Sequence, residues 1–332
     1  VAYWNFNEGS NNSLYDISLN GNDGLLKNID LSNAWQFQRG SGPSTVMIGE
    51  NMVLSKIGQN QFIADYLTTD TDEEGKVQFE ISYLDRAGNN GATVISTTNN
   101  SRVIYDRTAP TDFTVSTVFS TGGNEVSDTW NSTNTVLNVT IPIDSDSTLI
   151  NGWSKILAKI GSNPYEVIDS TTITESNLGT DKTLTLTEGL VESINGFNEN
   201  DTISIKAMIA DRAGNITEGA VSENRIVIDQ TLPNISDIHI ESNNPDSTKA
   251  KIGDIITVSF TANELINGPT VTISNNNATV ENPSGFGWNA TYSMTDSESE
   301  GNIIFYVANY TDVRGNPADG TSATDDGSKV VF

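Results

Sequence analysis

Asp85-Arg86-Ala87-Gly88-Asn89, Asp211-Arg212-Ala213-Gly214-Asn215 and Asp312-Val313-Arg314-Gly315-Asn316 are three versions of one five-residue loop. In each, an Asp can bond backbone amides further along the loop, and a Gly can take positive φ, so each reads as a turn. The first two follow strand-like runs. Val77, Phe79, Ile81 and Tyr83 alternate with polar residues, as do Ile203, Ile205 and Ala207. A second motif comes after each: Asp106-Arg107-Thr108-Ala109-Pro110, 21 residues beyond Asp85, and Asp229-Gln230-Thr231-Leu232-Pro233, 18 beyond Asp211. Counted from Asp312 at the first spacing, the next junction Asp falls at position 333, which places Phe332 at a module boundary. Both ends of the sequence read as cuts in something longer. Recurrence of this kind marks tandem repeats.

Working outward, modules one and three resemble each other more than either resembles module two. Gly42-Pro43 and the apolar alternation after it match Gly268-Pro269, Phe62 and Tyr66 match Trp288 and Tyr292, and Glu74-Gly75 matches Glu300-Gly301, all at an offset of about 226. Ile255, Val258 and Phe260 mark an early strand of module three. Period-two runs broken by Gly, Asn and Asp clusters predict an all-β sandwich architecture. The predicted modules are 1–109, 110–231 and 232–332, with one short helical turn near Glu188–Ile194.

Composition excludes whole function classes. There are 17 basic and 43 acidic residues, a net charge of −26. Binding a phosphate backbone needs clustered Lys and Arg, so nucleic acid is excluded as a partner, and an anionic membrane surface would repel the chain. There is no Cys, hence no disulfide and no thiolate metal site. The single His, His239, lies in an alternating stretch with Ile235, Ile238 and Ile240 and reads as strand surface. No apolar run reaches the ~18 residues that span a bilayer, and the expectation is that any leader has been removed.

A strand ending in Asp, a short turn closing on Gly-Asn, and a further strand resemble the F–G hairpin of immunoglobulin-like and fibronectin-type modules. The Asp-x-Thr-x-Pro that follows resembles the boundary of bacterial immunoglobulin-like repeats. The resemblance covers residues 43–332 and implies tandem immunoglobulin-like β-sandwich modules in an extended array. It implies a secreted, cell-surface protein whose modules serve as stalks, adhesive tips or filament subunits. Residues 1–35, with Ala2-Tyr3-Trp4-Asn5-Phe6-Asn7-Glu8-Gly9 and Gly21-Asn22-Asp23-Gly24, are similar to the opening of a laminin-G-like jelly roll. That resemblance implies glycan binding, sometimes with calcium. The alternative is that these residues supply the first strands of module one.

In such a sandwich the F–G loop lies at the N-terminal end and the last strand runs to the other end. Asp106 should therefore approach Asp211 and Asn215, and Asp229 should approach Asp312 and Asn316. Carboxylates, amide oxygens and backbone carbonyls converging on a linker suit Ca²⁺, which takes 6–8 oxygens in loose geometry. The alternative, that each Asp simply organises its own turn, stays open. The acidic turns Asp70–Glu74 and Asp296–Glu300 read as solvated loops. Trp130, Trp153 and Trp288 are candidate sugar-stacking platforms, although core packing suits Trp288 better. No catalytic constellation stands out: carboxylates repeated at module ends argue for architecture, and His239 has no nucleophile motif around it. The expectation is a non-enzymatic stalk or adhesive segment whose partners are neighbouring immunoglobulin-like modules. Glycan binding and filament assembly by strand complementation are the alternatives.

Overall fold

The structure, a computed structural model, describes residues 63–81 and 89–332 in full. The laminin-G-like stretch 1–35 and Asp85–Gly88 of the first loop lie outside the described residues. The chain forms two compact units, Val1–Thr108 and Ala109–Phe332. Within the first, Gly75–Gln78 pairs antiparallel with Ile104–Tyr105, with Gly75 opposite Tyr105.

The second unit holds two hydrophobic cores. The first belongs to residues 109–231, built from β1 (Thr117–Thr121), β2 (Thr129–Asn131), β3 (Val136–Ile143), β4 (Trp153–Ile160), β5 (Glu166–Thr172), β6 (Thr180–Thr187), α1 (Glu188–Glu192), β7 (Thr202–Ala210), β8 (Ile216–Glu218) and β9 (Ile226–Asp229). One sheet runs β1-β3-β6; the facing sheet runs β2-β9-β7-β4-β5, with β8 added beside β7. Strand alternation explains the packing. On β7, Ile203, Ile205, Ala207 and Ile209 point inward and are buried, while the residues between them are half-covered. Ile156, Ala158 and Ile160 of β4 and Leu137, Val139 and Ile141 of β3 complete the layer, and Trp130 of β2 is fully buried among them. The pairings between these strands are antiparallel except β2 with β9, which run parallel; the isolated bridge of Thr114 with Ala220 is parallel as well.

Residues 235–332 repeat the plan with β10 (Ile235–Ser242), β11 (Ile255–Ala262), β12 (Ile266–Asn267), β13 (Thr270–Ile273), β14 (Asn276–Asn277), β15 (Thr279–Glu281), β16 (Gly287–Ser293), β17 (Phe305–Ala308) and β18 (Thr311–Asp312). The sheet β10-β11-β16-β15 faces β14-β13-β17, and β12 pairs with β18. Ile256, Val258 and Phe260 of β11 meet Val271, Ile273 and Val307 in the core. Trp288 stacks against Phe260 with ring centroids 6.5 Å apart. His239 sits on the surface of β10 with Nδ1 2.6 Å from an Asp326 carboxylate oxygen. The protein is thus all-β, with sandwich modules of immunoglobulin-like layout, and two opposed sheets account for each core.

The two acidic turns differ from the sequence expectation. Neither is merely solvated. Tyr66 donates its hydroxyl to Asp72 at 2.6 Å, and Tyr292 donates to Glu298 at 2.6 Å. The backbone amides of Thr69 and Thr295 donate to the other oxygen of the same carboxylates, at 2.6 and 2.7 Å. One acid therefore closes the turn that follows the strand in modules one and three alike, and Asp72 is buried in doing so. The Glu298 carboxyl is held down at about 2, first by the Tyr292 hydroxyl and then by donors from Thr295 and Ser297. Module two has no Tyr at this point; α1 follows β6 instead.

Candidate functional site at the joint of modules two and three

Both described hairpin loops are organised by their own Asp. Asp312, fully buried, accepts at Oδ1 from the amides of Arg314 (2.8 Å) and Asn316 (2.9 Å), and at Oδ2 from the Asn316 side chain (2.8 Å). Asp211 does the same with the amides of Gly214 (2.7 Å) and Asn215 (2.9 Å) and with the Asn215 side chain (2.8 Å). Gly214 and Gly315 take φ of 98° and 92°, which explains the glycine in each loop.

What distinguishes the Asp312 loop is what it touches. The turn Asn131–Asn134, directly after β2, is closed by two bonds: the Asn131 amide donates to Asn134 Oδ1 (2.8 Å), and the Asn134 amide donates to the Asn131 carbonyl (3.1 Å). The buried Asn131 side chain accepts at Oδ1 from the Thr133 amide (3.0 Å) and hydroxyl (2.7 Å) and donates to the carbonyls of Asn124 (2.7 Å) and Arg314 (2.8 Å). Asn124 donates to the Gly315 carbonyl (2.8 Å), and the Ser132 amide donates to Asn316 Oδ1 (2.7 Å). Asn316 returns a donor to Asp229, at its carbonyl (3.0 Å) and at Oδ1 (3.2 Å). Arg314 Nε lies 3.5 Å from Asp229 Oδ2. The fit is close: a Cβ on Gly315 would lie 2.8 Å from the Asn131 side-chain nitrogen. Module two thus holds a polar socket, and the hairpin loop of module three fills it.

The joint is also crowded with acid. Burial pushes the Asp229 carboxyl up to about 6, helped by a hydrogen bond to Glu199 and by the charges of Asp312 and Glu199. Glu264 is raised as well, first by burial and then by Asp312 and Glu199. Glu199 was not singled out from sequence. It accepts from the amides of Gln230 (2.9 Å) and Thr231 (3.3 Å), the two residues after the junction Asp. In the first unit Glu74 repeats the device, accepting from the Arg107 amide (2.9 Å) and the Thr108 hydroxyl (2.8 Å). The signal was present in the sequence as an acid 32 and 30 residues before each junction Asp.

The candidate ligands distribute as follows. Asp229, Asp312 and Asn316 meet in this joint. Asp211 and Asn215 form their own turn in the second unit. Asp106 belongs to the first unit, where it accepts from the Thr108 amide at 3.2 Å. Among the described residues no group of three or more His, Asp or Glu is arranged to hold a metal ion. No described helix is long and apolar enough to cross a membrane.

No protein-family model matches the chain, and no curated protein matches it. Among solved structures it is similar to the chicken CNTN1 FN1–FN3 domains, at 12% identity over 80% of each chain with a TM-score of 0.29. It is also similar to the Bacteroides ovatus mixed-linkage glucan utilization locus protein SGBP-B in complex with a mixed-linkage heptasaccharide. That match has 13% identity, a TM-score of 0.19, and covers 90% of this chain and 58% of the other. Likeness at this level says nothing about ligand or activity.

Proposed function

We propose that this chain is a non-enzymatic stalk segment of a secreted bacterial surface or adhesive protein, and that the joint between its second and third modules is a fixed connector. The observation that carries this reading is the filled socket. Donors from Asn124, Asn131 and Ser132 meet the Asp312–Asn316 loop, and Asn316 and Arg314 meet Asp229 in return. A flexible linker needs none of these bonds, and a catalytic cleft would leave polar groups open to a substrate. Here they are spent on each other. Calcium is the subsidiary part of the proposal: a dication would relieve the repulsion among Glu199, Asp229 and Asp312 and would compete with Arg314 for Asp229.

The test uses the absence of Cys, which lets two engineered cysteines carry spin labels, one on each of modules two and three. The expected result is a narrow distance distribution that broadens in the double variant Arg314→Ala, Asn316→Ala. A broad distribution in the parent chain would overturn the fixed-connector reading. Repeating the measurement with calcium and with EDTA decides the subsidiary part, which requires calcium to raise the melting temperature of the parent but not of Asp229→Ala.

A further inference from the structure

The outer face of the β4–β5–β7 sheet, opposite the core, carries a row that no structural role absorbs. Along β4, side chains alternate, so Trp153, Lys155, Leu157 and Lys159 share this face while Ile156, Ala158 and Ile160 point inward. Register places Lys206 of β7 opposite Leu157, between the two β4 lysines. Val167 of β5 flanks Leu157 on the other side. The ammonium of Lys155 lies 4.0 Å from the centre of the Trp153 ring. Those of Lys159 and Lys206 converge on one ring, Tyr165, at 5.1 and 4.1 Å.

The charges on this face are unusual for this chain. Residues 109–231 hold 17 acidic and 6 basic side chains, yet three of the six basic ones lie here. Lys206 pairs with Glu218, but among the described residues neither Lys155 nor Lys159 has a carboxylate partner. In a chain with 43 acids, two unpaired lysines held against aromatic rings form a local inversion of sign. They are four residues apart on one strand, roughly 13 Å. Leu157 between them is covered by its neighbours, Val167 beside it is exposed and supplies the apolar floor, and Trp153 is half-buried beside Lys155. The face is therefore a line of aromatic, cation, apolar floor and cation.

We propose that this face binds a linear anionic polysaccharide, one bearing carboxylate or sulfate groups along its length. The cations repeat along a line rather than clustering around a point, which suits a polymer with repeated charge. The apolar floor and rings suit the C–H faces of sugars, and the cation–π contacts fix the lysine heads before binding. An acidic protein surface, including a second copy of this chain, is the competing occupant.

The experiment measures binding of the whole 332-residue chain to heparin, polygalacturonate and neutral dextran, and repeats it with Lys155→Gln, Lys159→Gln. Melting curves verify that the variant is folded. The expected result is binding to at least one polyanion and not to dextran, weakened at least tenfold in the variant and falling with added salt. Because the parent carries −26, the measurement at moderate salt, with a Debye length near 10 Å, lets the local face be read over the distant acids. Equal binding by parent and variant, or no polyanion binding by the parent, overturns the proposal. So does sedimentation that shows a parent dimer abolished by the same two substitutions, which would make a second copy the occupant.

Discussion

Asp229→Asn should stabilise the second unit at neutral pH in EDTA. The Asp229 carboxyl is pushed up to about 6, from an ordinary 3.8, by burial and by the facing Glu199 and Asp312. Its side chain is only 14% exposed, so solvent screening is modest. A folded carboxyl with a raised pKa holds its proton more tightly than the unfolded one. It therefore favours the fold below pH 4, and the native state becomes progressively less stable as pH climbs from about 4 to about 6. Two pH units correspond to roughly 3 kcal/mol at most. Asn cannot ionise; its oxygen can still accept from Asn316, and its amide can donate to Glu199. What it loses is the Arg314 pair, where Arg314 is 37% exposed and the contact is 3.5 Å, worth about 0.5–1 kcal/mol. The net gain at pH 7.5 is on the order of 1–2 kcal/mol, or about 2–8 °C in Tm for a unit of this size. Melts from pH 3.5 to 8 should show parent and variant diverging between 4 and 6 and running parallel above. A variant that melts below the parent at pH 7.5 in EDTA would refute the reasoning and make the Arg314 contact dominant. With calcium in place of EDTA, the parent's Tm should rise and that of Asp229→Asn should not.

Gly315→Ala should cost more than Gly214→Ala: both strain a positive φ, at about 1 kcal/mol, but only Gly315 is pressed against Asn131 and Val126 of the socket, so only its variant should broaden the inter-module distance seen by spin labels. Glu298→Gln should lower the Tm at pH 7, and the gap should close as pH falls from 4.5 toward 2, because a carboxyl with a depressed pKa contributes above its unfolded value and loses that contribution on protonation. Trp130→Ala should cost about 3–5 kcal/mol by denaturant melting, since the ring is fully buried. Trp130→Phe should cost far less, because the buried indole N–H has no hydrogen-bond partner to lose.

The sandwich architecture was legible because two strong local signals agreed. Period-two alternation, as in Ile203, Ile205 and Ala207, predicts strands with one buried face, and Asp-x-x-Gly-Asn predicts the hairpins between them. The short helix near Glu188 was visible too, but of Leu190, Val191 and Ile194, which the spacing turns toward a core, only Val191 and Ile194 are buried and Leu190 is exposed. Partners that depend on distant register were not legible. Nothing local to Asp72 or Glu298 reveals that a Tyr six residues earlier reaches back to it, so two buried or clamped acids read as solvated turns. Glu199 was missed for the same reason, since its ligands are backbone amides 31 and 32 residues away, and amides leave no mark on sequence.

The joint shows how far repetition can mislead as well as guide. The two described loops have the same sequence logic and the same internal bonds, so they invite one function. Yet Asp312 needs all its oxygens for its own loop, as does Asp211, and the group that reaches across to Asp229 is Asn316, with Arg314 beside it. Arg314 occupies the loop position at which Asp211-Arg212-Ala213-Gly214-Asn215 has Ala213. There it supplies a cation at the acid-rich joint, where Asp229 and Glu264 each feel the charges of Glu199 and Asp312. The Asp211 loop carries its arginine one position earlier, as Arg212, so the two loops differ in where the charge sits. Arg314→Ala removes that charge from the Asp312 loop. If counter-charge is what the joint lacks without arginine, the Arg314→Ala chain should gain more in Tm from calcium than the parent does. Equal calcium responses would mean that Arg314 acts only by packing and hydrogen bonding.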